Sequence, residues 1–470
     1  MDHSVPVGAG SPRRGEAARL TTAGSISTFK VMRRFPTLPA GYLATLALTL
    51  AAATSACAPS DDTDSLPGAS ADTPDSLASG PVRAGIEVLL TDSLDLVRGK
   101  RLGLITNQTG LGRIASADGG DSLVTTVQLL HEHPDMDLVA LYSPEHGITG
   151  SLDEGVKVAS GRHEESGLPI YSLYGATQEP LPEMLDGVDV LLFDIQDIGS
   201  RYYTYVWTMA LAMRAAAVAG IPFVVLDRPD PIGGTLVQGN VLDSAFASFI
   251  GLHPVPMRHG MTAGEMARLV RAQWVPDVEL SVVPMSGWRR SMWFEETALA
   301  WVPPSPNMPS VESAAHYPGT CLFEGTNLSV GRGTERAFQW IGAPWLDGVA
   351  LAEALNAYEL PGVRFEPATF FPNRPSDGKW PSTEVYGVRF VMTEPAVYDP
   401  TRAAVAALIE AKRLSGDRWQ WNAAHIDRLA GVDPLPERVG AGQSLAQLTA
   451  GWDAQLEAFE RLRQPNLLYR

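Results

Sequence analysis

The chain has 470 residues, of which 45% are hydrophobic and 19% charged, and its formal net charge is -17. This composition is that of a globular protein, and the length predicts more than one domain. The negative charge argues against nucleic acid or anionic lipid as an electrostatic partner. The two cysteines, Cys57 and Cys321, lie far apart in very different contexts, so no disulfide framework or cysteine metal site is predicted.

The first 57 residues are typical of an export signal. Lys30, Arg33 and Arg34 precede an uncharged, apolar stretch, Pro39 to Ala56, that ends in small residues before Cys57. A basic region, an apolar region of this length and a small-residue cleavage site define such signals. The stretch is short for a membrane anchor helix, which is the alternative.

The residues T-S-A-C that end at Cys57 resemble a bacterial lipobox, in which the cysteine is lipidated. We therefore expect Cys57 to carry a lipid, with plain secretion as the alternative. The expected location is that of an exported, membrane-anchored lipoprotein that faces the periplasm or the cell exterior. Residues 58–81 are mainly Asp, Ser, Pro, Gly and Ala, without an aromatic side chain, and predict a flexible linker.

Four apolar runs in the next part of the chain predict buried strands, and helix-like segments separate them. The runs are RLGLI, DLVAL, DVLLF and PFVVL. Alternation of strands with helices, such as Tyr203 to Ala219, predicts a parallel sheet with crossover helices. The predicted fold class is α/β, with a Rossmann-like, mostly parallel sheet domain at 82–241 and a smaller α+β domain at 242–470.

The second half predicts fewer regular elements. Thr262 and Glu265 form a capping box that starts a helix. The stretch from Trp301 to Trp345 has little periodicity but many apolar side chains, so it predicts a long functional loop. The other predicted elements are strands at Val278–Pro284 and Gly387–Met392 and helices at Thr401–Leu414 and Ser444–Leu462.

Carboxylates at the strand ends are candidates for catalysis, because ligands of parallel sheets bind outside the carboxyl ends of the strands. Glu145 follows the second run between Pro144 and His146; a helix cap or a surface charge is the alternative reading. Asp194 and Asp197 follow the third run, and Asp194 could instead cap the next helix.

Glu324 is the second catalytic candidate, because it lies in an apolar loop. Burial there would raise its pKa, which suits a general acid. The alternative is a buried ion pair with Arg332 or Arg258.

Several known motifs are absent from the sequence. No G-x-G-x-x-G follows the first strand, no loop ends in G-K-[ST], and no G-x-S-x-G occurs, so no dinucleotide cofactor, phosphate loop or α/β-hydrolase site is predicted. His131-Glu132-His133 lacks the spacing of two metal ligands on one helical face. We therefore expect neither a cofactor nor a metal ion.

The polar clusters also contain many aromatic residues, a combination that suits a sugar, whose ring faces stack while its hydroxyl groups take hydrogen bonds. The substrate-binding candidates are Asn107, His146, Gln196, Arg201, Tyr202, Asp227, Arg258, His259, Asn307, Asn327 and Arg332.

Six long motifs occur in the order seen in a known family. They are P-E-H-G, D-I-Q-D-I-G-S-R-Y-Y-T-Y, D-R-P-x-P-I-G-G, R-H-G-M-T-x-G-E, P-S-P-N-M-P and Y-P-G-T-C-L-F-E-G-T-N-x-S-x-G-R-G-T. From Val82 to Arg470 the chain resembles the exo-β-N-acetylmuramidases, the NamZ family. The resemblance implies a Rossmann-like domain, a smaller carboxy-terminal domain and an active cleft between them. It also implies release of N-acetylmuramic acid from the non-reducing end of peptidoglycan fragments, with the family's motif glutamates at Glu145 and Glu324.

The expected partner is thus a peptidoglycan-derived glycan. The lactyl carboxylate of muramic acid needs a cation, for which we favour Arg258 over Arg201 and Arg332. Retaining, inverting and substrate-assisted mechanisms stay open. The alternatives are a non-catalytic glycan-binding lipoprotein and a metal-dependent peptidoglycan hydrolase.

Overall fold

The computed structural model describes residues 81–115, 120–432 and 434–470. The predicted export signal, the lipidation of Cys57 and nearly all of the predicted linker lie outside the described residues. Within the described ranges, no helix has the length and apolar character needed to cross a membrane.

The strands, in chain order, are β1 (Arg101–Thr106), β2 (Leu111–Ala115), β3 (Asp121–Thr125), β4 (Asp137–Ser143), β5 (Gly161–Arg162), β6 (Pro169–Ser172), β7 (Val190–Asp194), β8 (Phe223–Leu226), β9 (Gln238–Val241), β10 (Pro256–Arg258), β11 (Leu280–Val283), β12 (Trp340–Ala343), β13 (Val363–Phe370) and β14 (Val385–Met392). The α-helices are α1 (Gly85–Asp92), α2 (Thr126–His131), α3 (Tyr205–Ala219), α4 (Ala263–Gln273), α5 (Val311–Thr320), α6 (Gly348–Asn356), α7 (Pro400–Ser415), α8 (Ala423–Ala430), α9 (Leu435–Gly440), α10 (Leu445–Leu448) and α11 (Trp452–Arg463).

A seven-stranded sheet organises the first half, in the order β11-β8-β7-β1-β4-β6-β5. All neighbouring strands pair in parallel except β5 and β6. The four apolar runs form β1, β4, β7 and β8, which are adjacent in the sheet. Helices or other chain segments cover both faces, so β7 and β8 are buried along their whole length, as the continuous apolar runs require. The predicted fold class is confirmed.

The edge strand β11 comes from beyond the predicted boundary between residues 241 and 242. It pairs with β8, and α4 lies between β10 and β11 in the chain. The capping box at Thr262 and Glu265 begins α4 as predicted. The large sheet therefore uses residues that the sequence analysis assigned to the second domain, while the boundary itself stays a prediction.

The second half contains a three-stranded antiparallel sheet, β12-β14-β13, with α6 and α7 close to it. The stretch from Trp301 to Trp345 is not irregular throughout, because it contains α5 and β12. Helix α5 includes Pro318 and Gly319, two poor helix formers. A Cβ on Gly319 would lie 1.9 Å from the Pro400 carbonyl oxygen. Close packing of α5 on α7 thus explains a helix that local propensity does not predict.

The end of the chain returns to the large sheet. The Tyr469 hydroxyl donates to Asp227 Oδ2 at 2.6 Å and accepts from the Met285 backbone N–H at 2.9 Å. Leu468 N–H donates to Glu265 Oε1 at 2.8 Å. Leu468 and Tyr469, close to the end of the chain, thus complete the packing around β8, β11 and α4.

Candidate active site

A cleft of about 580 Å³ lies at the carboxyl end of the large sheet. We call one side the sheet wall, which comprises residues 145–155 after β4 and 202–205 before α3. We call the other side the loop wall, which comprises Glu324, Arg332, Asp377, Lys379 and residues 422–428 at α8. The cleft therefore lies where the strand-end argument predicts a ligand site.

Glu145 on the sheet wall is held by neutral hydrogen-bond donors. It is buried, and its turn continues through His146 and Gly147 with φ of 69° and 79°. Glu145 Oε1 accepts from the Gly155 backbone N–H at 2.9 Å, and Oε2 accepts from the Thr204 hydroxyl at 2.8 Å. In the described part of the chain, no cation lies within ion-pair distance of this carboxyl group. Its position is fixed without a fixed opposite charge.

Glu324 on the loop wall is held by an arginine and lies close to a histidine. It lies in a short 3-10 turn at Cys321–Gly325. Arg332 binds Glu324 Oε1 through Nε at 2.8 Å and through a terminal nitrogen. His425 Nε2 lies 3.9 Å from Oε2. Burial acts to raise the pKa of Glu324, but Arg332 and His425 outweigh it and lower the pKa to about 2. The expectation of a raised pKa is therefore wrong, and the alternative of an ion pair with Arg332 is confirmed.

Further contacts extend this charged network and join the two walls. Arg332 also pairs with Glu154 of the sheet wall at 2.9 Å, and the Ser376 hydroxyl donates to Glu154 Oε1 at 2.7 Å. Lys379 donates to two backbone carbonyl oxygens of the loop wall, at 3.0 and 3.1 Å, and lies 3.7 Å from Asp377. Arg332 is thus the link between the walls.

The structure brings only some of the predicted residues into the cleft. Those that line it are Glu145, His146, Tyr202, Asn307, Glu324 and Arg332. Other polar residues that line the cleft were not predicted from the sequence, among them Glu154, Thr204, Asp377, Lys379, Asn422, His425 and Arg428. Thr204 directly follows R-Y-Y in a polar cluster already singled out, which was a usable signal; the remainder belong to segments that carry no strand-end signal.

Asp194 lies outside the cleft and supports the sheet edge. It is fully buried, and Arg228 binds both of its oxygens, with one contact at 2.9 Å. The Thr126 hydroxyl also donates to it. Asp194 does not cap α3, whose first residue follows Thr204. Its carboxylate is fully engaged, so the structure provides no route for it to reach a substrate in the cleft.

Asp197 also lies outside the cleft lining, in a buried acidic cluster. Its Oδ2 accepts from Gly199 N–H at 2.8 Å and lies 3.7 Å from His259 Nε2. Burial, with the nearby charge of Asp230, raises the pKa of Asp197 to about 8. Burial lowers the pKa of His259 to about 3. The pair is therefore a neutral acid beside a neutral imidazole at pH 7.

The two arginines other than Arg332 that we considered for the lactyl carboxylate are structural. Arg258 is buried and donates to Gln238 Oε1 at 2.9 Å and to the Ile232 carbonyl oxygen. Arg201 is fully buried and donates to backbone carbonyl oxygens of Asn240, Val255, Leu429 and Ala430. Neither lines the cleft, so the preference for Arg258 is corrected by its placement.

The remaining candidates hold local backbone structure and do not line the cleft. Asn107 Oδ1 accepts from Thr109, and Gln196 donates to two backbone carbonyl oxygens at 2.7 Å. Asp227 accepts from Gly264 N–H at the start of α4. Asn327 joins the loop wall to residues 418–420.

The described part of the chain holds no group of three or more His, Cys, Asp or Glu side chains placed to bind a metal ion. The cleft offers a carboxyl group held by neutral donors, a carboxylate paired with an arginine, and tyrosine and phenylalanine rings, among them Tyr203, Tyr317 and Phe338. This arrangement supports proton transfer to a bound polar ligand with apolar faces.

Comparison with known proteins places this geometry in a family. Residues 102–312 match the family model for the N-terminal part of exo-beta-N-acetylmuramidase NamZ, and residues 315–469 match the model for its C-terminal part. The peptidoglycan beta-N-acetylmuramidase NamZ of Bacillus subtilis (strain 168) is 42% identical over 403 residues, which cover 85% of this chain and 95% of that protein.

Two solved structures share the fold. One DUF1343 family protein of Bacteroides fragilis NCTC 9343 matches with a TM-score of 0.75 and 34% identity over 83% of this chain and 99% of that one. A second DUF1343 family protein of the same organism matches with a TM-score of 0.63 and 28% identity over the same shares.

Proposed function

Because the chain belongs to the exo-β-N-acetylmuramidase NamZ family, we propose that it hydrolyses the glycosidic bond of N-acetylmuramic acid at the non-reducing end of peptidoglycan fragments. The observation that carries the proposal is Glu145. It is a buried carboxyl group, fixed by two neutral donors, at the sheet edge of a cleft lined with aromatic rings.

In the proposed reaction, Glu145 moves the proton. As a general acid it donates a proton to the glycosidic oxygen while the bond from that oxygen to the sugar C1 breaks; water then supplies the hydroxyl group at C1 and returns a proton. General acid–base catalysis of this kind contributes about 10²–10⁴-fold. Glu145 is assigned this role because no arginine or lysine pairs with it in the described part of the chain, whereas Arg332 pairs with Glu324.

Glu324 has a different proposed role. Arg332 keeps it ionised, so it does not donate a proton, and its fixed negative charge favours the positive charge that develops on the sugar ring in the transition state. Attack on C1 then comes from water or from the sugar's own 2-acetamido group.

The reaction can be tested with a chromogenic N-acetylmuramic acid glycoside and with peptidoglycan-derived oligosaccharides. We expect release of the chromophore, free N-acetylmuramic acid as the product from the oligosaccharide, and the same rate with and without a chelator. A protein that binds the oligosaccharide without releasing sugar would be a glycan-binding lipoprotein instead. Loss of activity with chelator would identify a metal-dependent hydrolase.

We also propose that the protein is exported and anchored through a lipid on Cys57. The support is the signal-like sequence before that residue. Incorporation of a labelled fatty acid into the wild type but not into Cys57→Ala would support the anchor, and label in both proteins would contradict it.

A further inference from the structure

The arginine and lysine side chains of the cleft other than Arg428 already contact other groups of the protein. Arg332 contacts the carboxylates of both Glu154 and Glu324. Lys379 is half-enclosed by two backbone carbonyl oxygens and a carboxylate. Each already contacts two or more protein oxygens, so a substrate carboxylate would compete with those contacts.

Arg428 differs from both. Its Nε donates to the Ala424 carbonyl oxygen of its own helix at 3.0 Å, which fixes the plane of the guanidinium group. Its two terminal nitrogens make no hydrogen bond to any residue that the structure describes, and no described carboxylate lies within 4.0 Å. The side chain is exposed but lines the cleft.

The helix that carries Arg428 is firmly seated. Arg201 donates to the Leu429 and Ala430 carbonyl oxygens at 2.9 and 3.2 Å, which binds the carboxyl end of α8. Near the other end, a Cβ on Gly325 would lie 2.6 Å from the Cβ of Ile426, so α8 packs directly on the turn that carries Glu324. The base of the Arg428 side chain therefore has a defined position relative to Glu324.

One face of this segment points into the cleft. Asn422, His425 and Arg428 all line it, and their spacing of three residues places them on the same side of α8. Of the described arginine and lysine side chains that line the cleft, Arg428 is the one without a carboxylate within 4.0 Å. A substrate that carries one carboxylate would complete the charge balance at Arg428.

We propose that Arg428 binds the lactyl carboxylate of N-acetylmuramic acid and thereby sets the preference for muramic acid over glucosamine glycosides. This inference rests on the proposed function. The lactyl ether is the chemical difference between the two sugars, and it brings the single negative charge. The two free terminal nitrogens of a guanidinium group can grip a carboxylate with two parallel hydrogen bonds.

The test compares Arg428→Gln with the wild type on three chromogenic glycosides: that of N-acetylmuramic acid, its lactyl methyl ester, and that of N-acetylglucosamine. We expect the ratio of kcat/KM between the muramic acid and the glucosamine glycosides to fall roughly 10- to 100-fold, the size of a charge-assisted hydrogen bond. The change should reside mainly in KM. The ester, which lacks the charge, should behave as the glucosamine glycoside does.

Two further measurements sharpen the test. Added salt should raise KM for the muramic acid glycoside in the wild type, because an exposed ion pair is screened, and should have little effect in Arg428→Gln. Arg428→Lys should restore part of the preference. The control is Arg271→Gln, which removes the same charge from an exposed arginine at the end of α4, outside the cleft lining.

An unchanged ratio in a folded Arg428→Gln protein would overturn the inference, and so would an equal loss on all three glycosides. Because the wild type would still release the chromophore in both cases, the proposed function would stand. Failure of the wild type to cleave any of the glycosides would instead remove the proposed function and this inference with it.

Discussion

Glu145 and Glu324 are the same residue type in the same cleft, but their surroundings differ. On the sheet wall, a backbone N–H and a hydroxyl group hold Glu145. On the loop wall, Arg332 and His425 hold Glu324. Both carboxyl groups are fixed in place, yet only Glu324 is tied to an opposite charge.

This difference shows that the position of a carboxyl group and its ionisation can be controlled by different contacts. Neutral donors hold the position of Glu145 without adding a charge, whereas an adjacent guanidinium group lowers the pKa of Glu324. One cleft therefore contains the same side chain in two different electrostatic surroundings.

The strongest test of the comparison is Glu145→Gln, which preserves the shape but removes the titratable group. We expect kcat to fall about 10²–10⁴-fold, with little change in the far-UV circular dichroism spectrum or Tm. A folded variant with nearly normal turnover would exclude Glu145 from proton transfer.

Glu324→Gln should lower both stability and kcat, because it removes the ion pair with Arg332 and the negative charge that Glu324 places in the cleft. It leaves Arg332 buried with Glu154 as its remaining carboxylate, and breaking a buried ion pair of this kind costs about 3 kcal/mol of unfolding free energy. Urea denaturation at pH 7 measures this loss. Unchanged stability would contradict the ion-pair role of Glu324, and an unchanged kcat would contradict its proposed stabilisation of the transition state.

Glu324→Gln should also change how the free energy of unfolding depends on pH. The folded-state pKa of Glu324 is lowered from 4.5 to about 2, so its contribution to stability is fully present above pH 4.5 and is lost as the pH falls towards 2. The slope for one proton is about 1.4 kcal/mol per pH unit. Glu324→Gln should therefore show a flatter decrease of stability between pH 4.5 and 2 than the wild type.

A smaller effect is expected at Thr204, whose hydroxyl group holds Glu145 Oε2. Thr204→Val keeps the volume and removes the donor, and the loss of one hydrogen bond to a charged group should lower kcat roughly 10-fold. Thr204→Ser retains the hydroxyl group and is the matched control. Equal activity of the two variants would mean that this contact does not position Glu145.

Asp197 is a third buried carboxyl group, which lies outside the cleft lining and has neither the proposed role of Glu145 nor that of Glu324. Its folded-state pKa is raised from 3.8 to about 8, so the folded protein keeps a proton that the unfolded chain releases. The contribution of this group to stability is therefore fully present below pH 3.8 and is lost as the pH rises towards 8, by at most about 1.4 kcal/mol per pH unit. Asp197→Asn should reduce the difference in unfolding free energy between pH 5 and pH 8, and an unchanged difference would contradict this assignment.

The parallel sheet and the position of Glu145 at its edge could be predicted, because both depend on local sequence. Continuous apolar runs mark strands that are buried on both faces, and the polar residues after each run must lie at the same edge. Glu145 follows the second of these runs and lies at that edge. These signals need no knowledge of distant segments.

The direction of the pKa shift of Glu324 stayed open in the sequence, because it depends on whether Arg332 reaches the carboxylate. The role of Asp194 could not be predicted, because Arg228 reaches it from the loop after β8. The same holds for Arg201, which looked like a substrate ligand and instead binds the end of α8. Sequence patterns identify polar clusters, but they do not show which side chains of a cluster already pair with other residues of the protein.

The return of Tyr469 to the large sheet has a consequence for protein fragments. The two family models meet between residues 312 and 315. A first fragment that ends there would lack Leu468 and Tyr469, which donate hydrogen bonds to Glu265 and Asp227. Buried carboxylates without those donors would destabilise such a fragment. The two halves are therefore suited to complementation after joint expression and not to separate purification.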